Sequence, residues 1–455
     1  MLIDYRTDSA SRQGDQIVRA AARPAPSMRR RLAVAVGWSI AGGTLWQGCA
    51  LLSSIVAARL IGKQSFGHLA TVQATAIALT NLASLGLGVT ATKYVSQLRE
   101  SDPRRAGRIL GLSSIVALIA STVFALALVA CAPRIAHKSF QTADLTSELR
   151  WSAVYVFFII MNGYQAGALS GLESFRRLTQ VSMAYGISSL ISMSLGSYWL
   201  GERGAVLAFS FGAFLLWLWH QVALVQELRR FQITISYRDA WQERAALVRF
   251  ALPATFSGAV GSIAIWSCYC WLVQYRGFAE MAVYMAATNL RAAVVFVPNL
   301  VTRVTTPLLN NLLAAGRSKT GVRMFWLSVG ANTWLAIVVA FVLVAAGPQM
   351  LRWFGRDFLA GRTLLALIMA SAVLEVLSGN LYQATFARRS LYGQIAAISV
   401  WAAILVGMTR LLVVPFGASG LAAAYTACGT VSALMYLALA KSLRSSTHSE
   451  AACGA

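Results

Sequence analysis

A charged side chain at the centre of a bilayer costs about 2.5 to 3.5 kcal/mol on insertion scales, so the few that fall within long apolar stretches mark candidate chemistry. Of the 16 acidic residues only Glu375 lies near the middle of such a stretch, and of the 39 basic residues only Arg291, Arg303 and Arg410 lie within one. Three guanidinium groups against one carboxylate leave about two positive charges unmatched, which implies an anion supplied from outside the protein. All three are Arg, whose planar fork suits bidentate contact with phosphate oxygens, so a phosphate-bearing ligand is favoured. Blander readings stand beside this one. Arg410 is about 7 Å of helix rise from Pro415 and can snorkel to the interface. Arg303 can be neutralised by Glu375 with no ligand involved, whereas Arg291 has no evident partner and favours a cavity.

A second constellation carries amides. Asn162-Gly163-Tyr164-Gln165-Ala166 returns as Asn380-Leu381-Tyr382-Gln383-Ala384, placing Asn162 with Gln165, and Asn380 with Gln383, on one helix face at i and i+3. Such amides either line a cavity and bond sugar hydroxyls or join helices, at about 0.6 kcal/mol per contact. The stretch with Arg291 and Arg303 also holds Asn289, Asn299, Thr302, Thr305, Thr306 and Asn310, and Pro298 and Pro307 interrupt its hydrogen-bond ladder. A bent, polar-faced helix is expected there. His220 reads as a packed histidine, and Gly42, Gly43, Gly258 and Gly261 as close-packing positions. Six scattered Cys show no zinc spacing or disulfide framework, and Cys268 and Cys270 fall on different faces of one helix. No cofactor, metal or catalytic residue is expected, and the chain is read as a non-enzyme.

The elements that must hold these residues are membrane spans. With 57% hydrophobic and 12% charged residues and a mean hydropathy of +0.62, the chain departs from soluble domains, whose charged fraction is about a quarter. At about 20 apolar residues per helix, twelve stretches qualify, at roughly 33–58, 67–92, 109–132, 149–171, 180–200, 204–226, 248–274, 282–312, 324–347, 363–387, 391–415 and 418–441. The net charge of +23 sorts by side. With a cytoplasmic N-terminus, 26 of the 39 Lys and Arg fall inside and 10 outside, the positive-inside asymmetry. Both termini are therefore expected in the cytoplasm, and no soluble module is long enough to present a nucleic-acid-binding face.

The two halves of the chain repeat. A shift of 215 carries Gly62 onto Gly277, Leu85 onto Leu300, Arg108 onto Arg323 and Pro133 onto Pro348, and a shift of 216 carries Gly201 and Gly204 onto Gly417 and Gly420. An even number of spans returns the chain to its starting side, so the fold class is an all-α polytopic membrane protein of 12 transmembrane helices in two six-helix bundles related by a pseudo-two-fold along the membrane normal. The division is a disordered basic tail at 1–31, a first bundle at 32–231, a linker at 232–247, a second bundle at 248–441 and a tail at 442–455. A cavity between such bundles points to a transporter.

The chain resembles polysaccharide flippases of the multidrug/oligosaccharidyl-lipid/polysaccharide exporter superfamily, particularly O-antigen and exopolysaccharide repeat-unit flippases. The residues that carry the resemblance are Ala58-Arg59-Leu60-Ile61-Gly62, Ser65-Phe66-Gly67, Leu85-Gly86-Leu87, Ala91-Thr92-Lys93-Tyr94-Val95, Leu252-Pro253, Tyr284-Met285-Ala286-Ala287 and Pro307. The resemblance implies a V-shaped protein of the bacterial inner membrane that flips an undecaprenyl-pyrophosphate-linked oligosaccharide to the outer leaflet by alternating access. It implies lumen cations at Arg291 and Arg303, rim cations at Arg59 and Lys93, and ion-gradient coupling with Glu375 as protonation site. Membrane lipids, and a polysaccharide polymerase and chain-length regulator, are the partners it suggests. Two alternatives remain: a multidrug and toxin extrusion antiporter, which would need acidic residues inside the first bundle, and a membrane-embedded polymerase or acyltransferase. Only His137, Asp144 and Glu148 near the longest outer loop are available to the latter.

Overall fold

A computed structural model of the chain describes residues 28–84, 86–314, 318–386 and 391–453, with side chains described for all of these except 28–36, 39, 245–254, 256, 257, 297, 300, 303–322, 383–394 and 439–453. The N-terminal tail to residue 27, Leu85, and the side chains of Arg303 and Gln383 thus lie outside the described residues. The described chain is helical because a backbone in lipid must satisfy its own polar groups. In order, the helices are α1 (Met28–Ala83), α2 (Leu87–Leu98), α3 (Pro103–Ser139), α4 (Leu145–Gly171), α5 (Phe175–Arg230), α6 (Arg244–Arg276), α7 (Phe278–Ala314), α8 (Ser318–Ala345), α9 (Gly347–Phe354), α10 (Arg362–Phe386) and α11 (Leu391–Cys453). Among the described residues, seven helical stretches are long and apolar enough to cross a membrane.

Three of these stretches, Ile40–Ala83, Phe175–Arg230 and Ile395–Ala438, run 44, 56 and 44 residues, about twice the length of one crossing. Each is broken by a glycine with a backbone no other residue adopts readily: Gly62 (φ 81°, ψ 169°), Gly201 (59°, −133°) and Gly417 (58°, −134°). Gly277, between α6 and α7, takes 81° and 176°. The pairs aligned by the repeat therefore share their backbone, Gly62 with Gly277 and Gly201 with Gly417. Positive φ with extended ψ is open essentially to glycine alone, so sequence identity here encodes geometry. The same alignment explains Gly204 and Gly420. A Cβ on either would overlap a backbone carbonyl of the preceding arm, Gly196 in one case and Leu412 in the other.

The four glycine turns lie at one end of the molecule, the turn face, tied together by contacts such as His68 with Glu202 (2.8 Å) and Arg276 with the Pro415 carbonyl (2.7 Å). The opposite end is the linker face. Here Asp102 caps α3 by accepting from the Arg105 amide at 3.0 Å, with Pro103 in the first turn. Residues 231–239 lie non-helical across α3, and the Ser236 amide donates to the Gly107 carbonyl at 3.2 Å. A Cβ on Gly107 or Gly111 would run into the Thr234 or Ser236 carbonyl, so the glycines one turn apart form the groove that holds the linker. Arg105 and Arg108 then grip buried Glu243 at 3.1 and 3.4 Å, just before α6 starts at Arg244. The linker is thereby pinned to the first half.

Packing follows the repeat: α1 packs on α5, and α4 on α3 and α5, while α11 packs on α6 and α10, and α7 on α8. The halves meet where α1 lies against α6 and α7. Their shared core joins Leu69 and Val72 to Leu272, Leu290 and Val294, and Asn289 donates across it to Ser54 at 2.6 Å.

Candidate functional site

Glu375 and Arg291 each stand thirteen residues from the turn-face start of their helices, α10 and α7, so a rise of 1.5 Å per residue places both about 20 Å down. At that shared depth they form an ion pair. The Arg291 side chain is 26% exposed and that of Glu375 50%, so the pair lies at the edge of the packed interior with the carboxylate open on one side. Tyr269, Tyr284 and Tyr425, from α6, α7 and α11, come close enough to feel the Arg291 charge. The Tyr269 and Tyr284 rings meet edge-on at 5.7 Å. The pairing differs from the sequence expectation, in which the carboxylate was open to Arg303 and Arg291 had no partner. Helix register decides this, because equal distances from the turn face bring 291 and 375 level.

Pro298 is buried within α7, which remains helical through both prolines. Thr302, one turn on, donates to the Pro298 carbonyl and to Asn380 Oδ1, both at 2.9 Å. Asn332 of α8 donates to Thr302 Oγ1 at 3.1 Å and to Asn380 Oδ1 at 3.3 Å. The Asn380 amide donates in turn to the Val376 carbonyl at 2.8 Å. Asn380 therefore joins α7, α8 and α10. In the first half, fully buried Gln165 donates to Gln221 of α5 at 2.6 Å, while Asn162 Oδ1 and Gln165 Oε1 are buried with no hydrogen-bond partner among the described residues.

The remaining candidates lie apart from the ion pair. Arg410 is exposed and sits over the Trp271 ring at 5.7 Å, near the turn face. Arg59 is held at the turn face by the Trp353 and Arg352 carbonyls. Lys93 lies on α2, toward the linker face, 5.7 Å from the Tyr94 ring. His220 is buried, with Nδ1 3.1 Å from the Leu216 carbonyl. Sequence reasoning missed Asn332, Gln221, Tyr269 and Tyr425, and singled out Tyr284 only as part of a family motif. Asn332 did carry a signal, as a lone amide in an otherwise apolar stretch; Tyr269 and Tyr425 carried none, since tyrosine is ordinary in a buried helix.

The polysaccharide biosynthesis protein family matches residues 32–313, more than half of the chain. The chain belongs to this family. It is 24% identical over 274 residues to the Lipid III flippase of Escherichia coli (strain K12), spanning 56% of this chain and 63% of the length of that curated relative. In fold it is similar to an inward-facing multidrug resistance MATE family transporter of the MOP superfamily (TM-score 0.72, 16% identity, 88% of this chain and 95% of that one). It is also similar to the Lipid II flippase MurJ in an inward closed conformation (TM-score 0.69, 12% identity, 89% and 87%). The family member is thus a multi-pass membrane protein with the fold of these transporters.

Proposed function

We propose that the protein flips an undecaprenyl-pyrophosphate-linked oligosaccharide from the inner to the outer leaflet of the bacterial inner membrane, by alternating access and without enzymatic chemistry. The observation that carries this reading is the Arg291–Glu375 pair, a guanidinium with the geometry for phosphate held at depth by a carboxylate that is half exposed. Family membership and the likeness to Lipid III flippase support the substrate class. Counting each glycine-broken stretch as two crossings turns the seven described stretches into ten, and taking α6 and α7 as further crossings brings the count to twelve spans, six on each side of the pinned linker. The positive-inside rule then sets the turn face outward and both termini in the cytoplasm.

In the mechanism, the incoming diphosphate competes with Glu375 for the Arg291 fork. Released from its partner, the carboxylate takes up a proton, which couples the step to a proton gradient. Arg303, further along α7, and Lys93 supplement the positive field. The test is thermal stabilisation of the purified protein by undecaprenyl pyrophosphate, compared with a lipophilic drug cation, in the wild type and in Arg291→Lys. Stabilisation by the diphosphate, weakened in Arg291→Lys, is expected. Stabilisation by the cation alone would overturn the reading in favour of a drug antiporter.

A further inference from the structure

Two contacts on the turn face are copies of each other. Arg59, three residues before Gly62, donates from Nε to the Trp353 carbonyl at 2.7 Å and from Nη2 to the Arg352 carbonyl at 3.0 Å. Gln274, three residues before Gly277, donates from Nε2 to the Ser139 carbonyl at 3.0 Å and the Lys138 carbonyl at 3.3 Å. The 215-residue shift that carries Gly62 onto Gly277 also carries Arg59 onto Gln274 and Lys138 onto Trp353. Each half thus reaches across with the residue ahead of its glycine turn and holds the last carbonyls of a helix in the other half, α9 in one case and α3 in the other.

The chemistry of the two arms differs. Final helix carbonyls lack intrahelical donors and carry the negative end of the macrodipole, so a cation suits them better than a neutral amide. Arg59 makes charge-assisted bonds from two nitrogens, while Gln274 divides one neutral nitrogen between two acceptors. Lys63 adds a bond to the Asp357 carbonyl at 3.3 Å. Beneath them Phe66 is buried against Phe354 and Phe358, at 6.3 and 6.2 Å between ring centres.

We infer that Arg59 and Gln274 are the two arms of one gate that holds the turn face shut, and that the Arg59 arm mainly sets how often that face opens. The inference rests on the alternating-access reading but not on the identity of the cargo. Hydrogen–deuterium exchange of the purified protein in lipid nanodiscs, without substrate, reads it directly. Arg59→Ala is expected to raise exchange about tenfold in residues 347–361 and also in 136–144, the segment held by Gln274, because the face opens as a unit. Gln274→Ala is expected to raise both by about threefold, and Gln274→Arg to lower both. Exchange that rises only beside the altered residue would overturn the gate, leaving two separate packing contacts. If Arg59→Ala does not fold, the slowing expected of Gln274→Arg decides the matter, and unchanged exchange there sinks the proposal. A chain that carries another cargo would still show the gate, so loss of the flippase reading and loss of this one are separable.

Discussion

The two halves share a chain path but not an interior. Under the alignment that matches their glycine turns, Thr302 and Asn332, the partners of Asn380, correspond to Leu87 and Ala117. Those residues are buried in an apolar cluster with Tyr164. Asn162 consequently keeps its place on the equivalent helix while its carbonyl has lost its donors. The ion pair follows the same rule, since Arg291 corresponds to Ala76 and Glu375 to Phe157. Phe157 instead packs edge-on against Phe158, which meets Phe214 and Trp217 of α5. One half carries an ion pair and a linked set of polar side chains at these positions, and the other fills the equivalent positions with apolar and aromatic residues. The difference teaches that the repeat preserves what the backbone requires and leaves the interior free to specialise.

If backbone needs are common to both halves, Gly204→Val and Gly420→Val should be equally severe. Each forces a side chain into a backbone carbonyl that cannot move aside, and a loss of about 3 kcal/mol or more is expected for both. Thermal unfolding of the two variants in detergent checks this, and tolerance in one half alone would break the equivalence. The ion pair should show the opposite pattern, because the first half has nothing to lose there. Glu375→Gln strands the Arg291 charge and should cost about 2 kcal/mol, between the values for buried and exposed pairs. The double change Arg291→Met with Glu375→Met should recover that stability while abolishing transport in proteoliposomes. Recovery of both would reduce the pair to a structural strut.

The amides sharpen the contrast at smaller scale. Asn380→Ala removes an acceptor shared by two donors and should lower stability by about 1 kcal/mol, whereas Asn162→Ala should be neutral or slightly stabilising. Equal losses measured by denaturation would mean that Asn162 has found a donor, such as an ordered water. The smallest effect concerns a carboxylate that has changed helices between halves. Glu280 accepts from the Ala418 amide at 3.0 Å, but the aligned positions are Ser65 and Glu202. Burial pushes the Glu202 carboxyl up, yet hydrogen bonds from His68 and Ser65, with the nearby charges of His68 and Arg203, outweigh it and hold it below the usual carboxylate range. A depressed value stabilises the folded state above the unfolded carboxylate pKa, and that contribution is lost as pH falls through the folded one. Wild type and Glu202→Gln should therefore differ in melting temperature at neutral pH and converge in acid.

Much of this was legible without coordinates. Constant spacing of Gly62 with Gly277 and of Gly201 with Gly417 announced a repeat, since a backbone open only to glycine leaves a mark in composition. Apolar runs announced helices, because lipid permits little else. The chemistry was half visible: Arg291 and Glu375 stood out through the expense of charge at depth, and the Asn162 and Asn380 motifs through their recurrence. Which residues would meet was not visible. Pairing of Arg291 with Glu375, the bonding of Asn380 to Thr302 and Asn332, and the reach of Arg59 and Gln274 across the turn face each join residues tens to hundreds of positions apart. Such meetings depend on the level at which each helix starts and on which neighbour it packs against. Local sequence determines the period of a helix and the place where it breaks; only packing sets the height of one helix against the next, and that height selects the partner of every polar group inside.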